Sequence, residues 1–85
     1  MVIEMKIGDQ LVLARKRQQL TQQQVADQIH VARQTISSWE TGRSYPDIAS
    51  LITLSELYHT ALDDLLKGDQ AMIEDLKKKE AELKQ

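Results

Sequence analysis

Residues 20–42, LTQQQVADQIHVARQTISSWETG, decide how this chain reads. Thr21 is an N-cap type of residue, and Gln24 three positions later completes a capping box ahead of Val25, Ala26 and Ile29. That pattern predicts a short helix over 22–29. His30-Val31-Ala32 follows without Pro or Gly. Arg33 to Thr41 then reads as a further short helix, with Ile36 and Trp39 three apart on one face and Gly42 as its stop. Apolar residues fall where each helix must pack on the other. The opposite face of 33–41 carries Arg33, Gln34, Ser37 and Ser38, all hydrogen-bonding side chains.

Such a pair has a physical use. A helix that enters the major groove of DNA must be held away from its domain by a partner helix. Its inner face must be apolar, as Ile36 and Trp39 are, and its outer face must offer groups to base edges. Gln pairs bidentately with adenine and Arg with guanine, each worth roughly 1–3 kcal/mol of discrimination. Residues near the start of such a helix reach the bases most readily, which favours Arg33, Gln34 and Ser38.

Outward from this core, residues 7–18 read as a helix carrying Ile7, Leu11 and Ala14 at helical spacing, with Leu13 beside them. On the other side, Arg43-Ser44-Tyr45-Pro46 cannot continue a helix, and Pro46 biases Tyr45 to an extended conformation. Asp47 is a good N-cap for a helix over 48–58, whose expected buried stripe is Ile48, Leu51, Leu54 and Tyr58, flanked by Ile52 and Leu57. A short fifth helix over 62–67 adds Leu62, Leu65 and Leu66, and Gly68 closes it. No strand-like alternation occurs. The expectation is an all-α domain of five helices over residues 1–68, followed by a charged helical tail or linker over 69–85. The tail holds four Lys and five acids without a helix breaker, so it suits a dimerising helix, a contact with a protein partner, a stalk to a further domain, or a solvated end.

Composition narrows the function. The chain has 85 residues, one domain's worth, and its 41% hydrophobic content argues against disorder. The core must be aliphatic, because Phe is absent and Trp39, Tyr45 and Tyr58 are the aromatic residues. Absence of Cys excludes disulfides, thiol catalysis and Cys-based zinc sites, and fits a cytoplasmic protein. No run of about 18 apolar residues suggests a membrane span, and no apolar signal core follows Met1. Net charge is −2, against a nonspecific nucleic-acid binder. The distribution matters more: residues 1–46 carry six bases and four acids, residues 47–85 five bases and nine acids. A polyanion would meet the first half.

With these motifs in hand, residues 7–66 resemble the Cro/phage-repressor, or XRE, helix-turn-helix family. The matching elements are Arg15, LTQ at 20–22, VA at 25–26, RQTIS-x-WE-x-G at 33–42, YPDI at 45–48 and LDDLL at 62–66. No one of them is specific; their order is. The resemblance implies a lambda-repressor-like five-helix fold and sequence-specific binding of double-stranded DNA as a transcriptional repressor, with no cofactor. It also implies a homodimer on a near-palindromic operator, in the bacterial nucleoid when bound. Carried over by position, Gln22 would touch a phosphate at a helix start, where free N–H groups lie. Arg33, Gln34 and Ser38 would read bases, Thr35 and Arg43 would lie near the backbone, and Arg15 would pair with Glu40 to tie the first helix to the third. The same fold serves antitoxins, which bind a toxin protein and repress their own operon; the tail would then be the partner segment.

The chain departs from the family at two turns. His30 and His59 stand where Gly is common, and Ala32 and Ala61 where Ser commonly caps the next helix. His tolerates left-handed backbone better than most residues. Ala at an N-cap costs about 1 kcal/mol relative to Ser, so both following helices should start less firmly. Neither His has the neighbours of a metal site, and Ser37 and Ser38 lack the partners of a nucleophile, so neither metal binding nor catalysis is expected.

Overall fold

The computed structural model describes residues 5–67 and consists there of five helices with no strand. Helix α1 (Ile7–Arg17) buries Ile7, Leu11 and Ala14, spaced to share one face. It begins where the Lys6 N–H donates to the Asp9 carboxylate at 3.2 Å. Helix α2 (Gln22–Ile29) is capped reciprocally: the Gln24 N–H donates to the Thr21 hydroxyl at 3.1 Å, and the Thr21 N–H to the Gln24 side chain at 2.8 Å. Its Val25 and Ala26 are fully buried.

Helix α3 (Arg33–Thr41) follows after a three-residue turn, starting from Ala32 without a side-chain cap. It ends at Gly42, whose φ of 80° lets the Arg43 N–H reach back to the Ser38 carbonyl at 2.9 Å. Helix α4 (Ile48–Leu57) is capped by Asp47, which accepts from the Ser50 N–H at 3.0 Å. Helix α5 (Leu62–Leu66) starts from Ala61, again without a side-chain cap. These two starts lie at Ala32 and Ala61, whose side chains offer no capping oxygen.

Helices α1, α4 and α5 were expected to run one residue further than they do. The cause at the end of α1 is a left-handed residue, Gln19, at φ 58°. His30 at 61° and His59 at 52° do the same after α2 and α4. In each case the next N–H bonds five residues back: Leu20 to Arg15, Val31 to Ala26 and Thr60 to Ser55, at 3.2, 3.0 and 3.0 Å. These are Schellman closures built without glycine.

One core joins all five helices, with Ile36, Trp39, Leu51, Leu54, Tyr58 and Leu65 added to the buried residues of α1 and α2. Each fully buried aliphatic side chain contributes about 1.5–3 kcal/mol by leaving water. α3 packs on both α1 and α2, and α5 on α1 and α4. Ile48 departs from the expected buried stripe: it is 47% exposed. As the first residue of α4 its side chain leans back over the preceding turn, beyond the edge of the core. Ile52, expected to flank the stripe, is 45% exposed, and Leu13 is 40% exposed. The charged tail expected over 69–85 lies outside the described residues.

Candidate nucleic-acid interface

Helix α3 divides cleanly between its two faces. Ile36 and Trp39 are buried at 2% and 7% exposure. Arg33 and Gln34 are exposed, Ser37, Ser38 and Thr35 half-buried, and Thr41 exposed. Gln34, Ser38 and Thr41 recur at spacings of four and three, so they form one polar stripe, with Arg33 and Ser37 beside it. Thr41 turns its hydroxyl inward to the Ser37 carbonyl at 2.9 Å. Arg43 is exposed just past Gly42. The expected base-facing residues are thus brought together on one outward ridge.

What fixes this ridge is polar as well as apolar. Arg15 Nε donates to Glu40 Oε2 at 2.7 Å and Nη2 to Oε1 at 3.1 Å, a two-pronged pair from α1 to α3. The side chains are 13% and 4% exposed. Arg15 Nη1 also donates to the Leu20 carbonyl at 2.9 Å, which ties the α1–α2 turn to the same guanidinium. The hydrogen bond to Glu40 raises the Arg15 pKa above the ordinary guanidinium value, against the opposing effect of burial. Buried Tyr58 has its hydroxyl pKa pushed up, first by desolvation and then by the charge of Glu40.

Gln22 is half-buried and already engaged. Its Nε2 donates to Glu40 Oε1 at 2.9 Å, and its Oε1 accepts from Arg33 Nη1 at 3.4 Å. The family resemblance makes Gln22 a phosphate contact, and the sequence gives no sign of this bridge, because its partners lie 18 and 11 residues away. Gly8 belongs to no motif in the sequence, yet it sets how the helices cross. A Cβ there would lie 2.5 Å from the Glu40 carbonyl oxygen, so α1 approaches the end of α3 closely only because residue 8 is glycine. A glycine inside a helical pattern was the available signal.

Beside this crossing, Lys6, Gly8, Asp9, Thr41, Gly42 and Tyr45 line a groove of about 180 Å³, below the roughly 300–1,000 Å³ of small-molecule sites. Among the described residues no group of three His, Cys, Asp or Glu side chains is placed to hold a metal, and no helix is long and apolar enough to cross a membrane.

The helix-turn-helix family matches residues 11–65. The HTH-type transcriptional activator BcrR of Enterococcus faecalis is 38% identical over 66 residues, 78% of this chain and 32% of the relative. The HTH-type transcriptional regulator ImmR of Bacillus subtilis is 32% identical over 66 residues, 78% of this chain and 52% of that protein. The chain therefore spans about a third of the length of the first relative and about half that of the second. Among solved structures, the P22 c2 repressor in complex with a synthetic operator matches with a TM-score of 0.70 and 29% identity, covering 76% of this chain and 98% of that one.

Proposed function

This chain belongs to the helix-turn-helix family, and we propose that it binds a near-palindromic DNA operator as a homodimer and represses transcription by occupying a promoter. The observation that carries the reading is the orientation of α3: Arg33 and Gln34 face outward while Ile36 and Trp39 anchor the helix in the core. Gln34 and Ser38 supply base-edge hydrogen bonds, and Arg33 the fork that suits guanine. Ser37, Thr35 and Arg43 flank them toward the phosphates. Support also comes from the P22 c2 repressor, whose solved complex holds an operator.

Affinity sets the case for two copies. Arg33 and Arg43 are the exposed cations carried by α3 and the residues just after it, so this helix offers few charges to phosphates and one protomer binds weakly alone. A dimer doubles those contacts and places two recognition helices about 34 Å apart, one turn of DNA. Exposed Ile48 and Ile52, one helical turn apart on α4, give the second copy an apolar patch. An isologous contact sets a patch against itself, which uncharged side chains tolerate and like charges do not.

The test is selection of bound duplexes from a random library, followed by binding across a salt series. A symmetric motif with half-sites one turn apart is expected, with affinity falling as salt rises. No enriched motif together with a flat salt response would end the proposal.

A further inference from the structure

Thr41 closes α3 and is exposed. At about 3.6 residues per turn, its place two turns after Gln34 brings its side chain within about 20° of the direction Gln34 takes. Ile36 and Trp39 leave the helix on the opposite side, into the core. Thr41 therefore stands on the middle line of the outward ridge and not on its flank.

Its hydroxyl proton is already spent. Thr41 Oγ1 donates to the Ser37 carbonyl at 2.9 Å, with the Ser38 carbonyl at 3.4 Å. A hydroxyl has a single proton to give. Phosphate oxygens, guanine N7 and O6 and thymine O4 only accept, so none of them gains a hydrogen bond from this side chain while that contact holds. What Thr41 offers outward is its γ-methyl group. A β-branched side chain is stiff at χ1, and the bond to Ser37 fixes it further. The methyl is thus held in one place before DNA arrives, and binding need not order it.

We propose that Thr41 is a specificity-determining residue whose methyl group reads the 5-methyl group of a thymine. This deepens the DNA-reading function and rests on it. Thymine alone of the four bases shows a methyl group in the major groove, and a threonine methyl is one of the side-chain groups that packs on it. Two turns of helix advance about 10 Å, roughly three base steps, so this thymine lies about three base pairs from the one Gln34 reads. Arg43, exposed just past Gly42, holds this end of α3 to the phosphates, while Arg33 serves the start. Both ends of the ridge are thereby kept against the duplex.

The experiment uses the duplex enriched from a random library, with each thymine of a half-site replaced in turn by deoxyuridine. That base lacks the methyl and keeps every hydrogen-bonding group. Thr41→Ser keeps the hydroxyl and loses the methyl, and Thr41→Val does the reverse; Gln34→Ala locates the base pair that Gln34 reads, and Trp39 fluorescence checks folding. One deoxyuridine, about three base pairs from that position, should weaken wild-type binding about three- to fourfold, the worth of one methyl leaving water. Thr41→Val should show the same loss. Thr41→Ser should bind the two duplexes equally, at the wild type's deoxyuridine affinity. No such thymine, or one whose effect persists in Thr41→Ser, would overturn the proposal. So would equal weakening of Thr41→Ser on every duplex, which places Thr41 against sugar or phosphate, or loss of the effect in Thr41→Val, which gives the reading to the hydroxyl. A wild type that enriches no duplex fails the DNA-reading function itself, a distinct result.

Discussion

The carbonyl oxygen of Glu40 stands 2.5 Å from the point where a Cβ on Gly8 would lie, so α1 crosses the end of α3 backbone against backbone. Gly8→Ala therefore sets two effects against each other. Helix propensity favours Ala by about 1 kcal/mol. Overpacking against rigid backbone costs up to about 3 kcal/mol. A net loss of about 2 kcal/mol is expected in urea denaturation. A stabilised Gly8→Ala protein would show that α1 and α3 can part freely.

The Arg15–Glu40 pair is the second tie between those helices. Glu40→Ala strands a guanidinium that is only 13% exposed, and should cost about 3 kcal/mol. The double variant Arg15→Met, Glu40→Leu should recover most of that loss, because an apolar pair of similar volume avoids desolvating two charges. Raised above the ordinary guanidinium value, the Arg15 pKa leaves its share of stability intact below that value and lost only in strong alkali. Denaturation at pH 6 and pH 9 should thus show no step from this residue.

Gln34 is exposed on the first turn of α3. Its loss should therefore be felt at DNA and not in folding. Gln34→Ala is expected to leave thermal stability within about 0.5 kcal/mol. It should cost roughly 1–3 kcal/mol of binding, confined to one base position in each half-site. Equal weakening on all sequences in a duplex competition would move Gln34 from the bases to the phosphates.

Asp47 makes the start of α4 sensitive to acid. Hydrogen bonds from Ser50 hold its carboxyl below the ordinary 3.8. A depressed folded pKa contributes stability that is fully present above 3.8 and lost as pH falls through the lower folded value. The site is exposed, so solvent screens the effect and it should be small. Asp47→Asn keeps the cap and should abolish this acid limb in melts between pH 2 and pH 5, whereas Asp47→Ala should lose about 1 kcal/mol at neutral pH.

Much of this architecture was legible because its signals are local. The Thr21–Gln24 capping box, Asp47, Gly42 and the spacing of Ile36 and Trp39 each act within four residues. Together they give the extents of α2 and α3 as the structure has them. The family resemblance supplied the Arg15–Glu40 pairing, which spacing alone does not reveal. The left-handed turn at Gln19 left no trace, since glutamine carries no preference for that region. Ile48 misled for another reason: helical periodicity continues to the first residue of α4, while the core does not reach that far. The Gln22 bridge was hidden because an amide's two ends are distinguished only by partners brought in from other helices.

Ile48 and Ile52 carry the last expectation. Two isoleucines cover far less than the roughly 800 Å² per partner of a standard interface, so the proposed dimer should be weak in free solution and completed on DNA. Ile52→Glu sets like charges against each other across the two-fold axis, and a glutamate there harms neither the core nor α4, since Ile52 is 45% exposed. Half-site binding by the variant should match the wild type, while the steepness of binding to a full palindrome should fall toward that of two independent sites. Fluorescence anisotropy on half-site and full-site duplexes reads both quantities. Undiminished cooperativity in Ile52→Glu would place the dimer contact on another face of the domain.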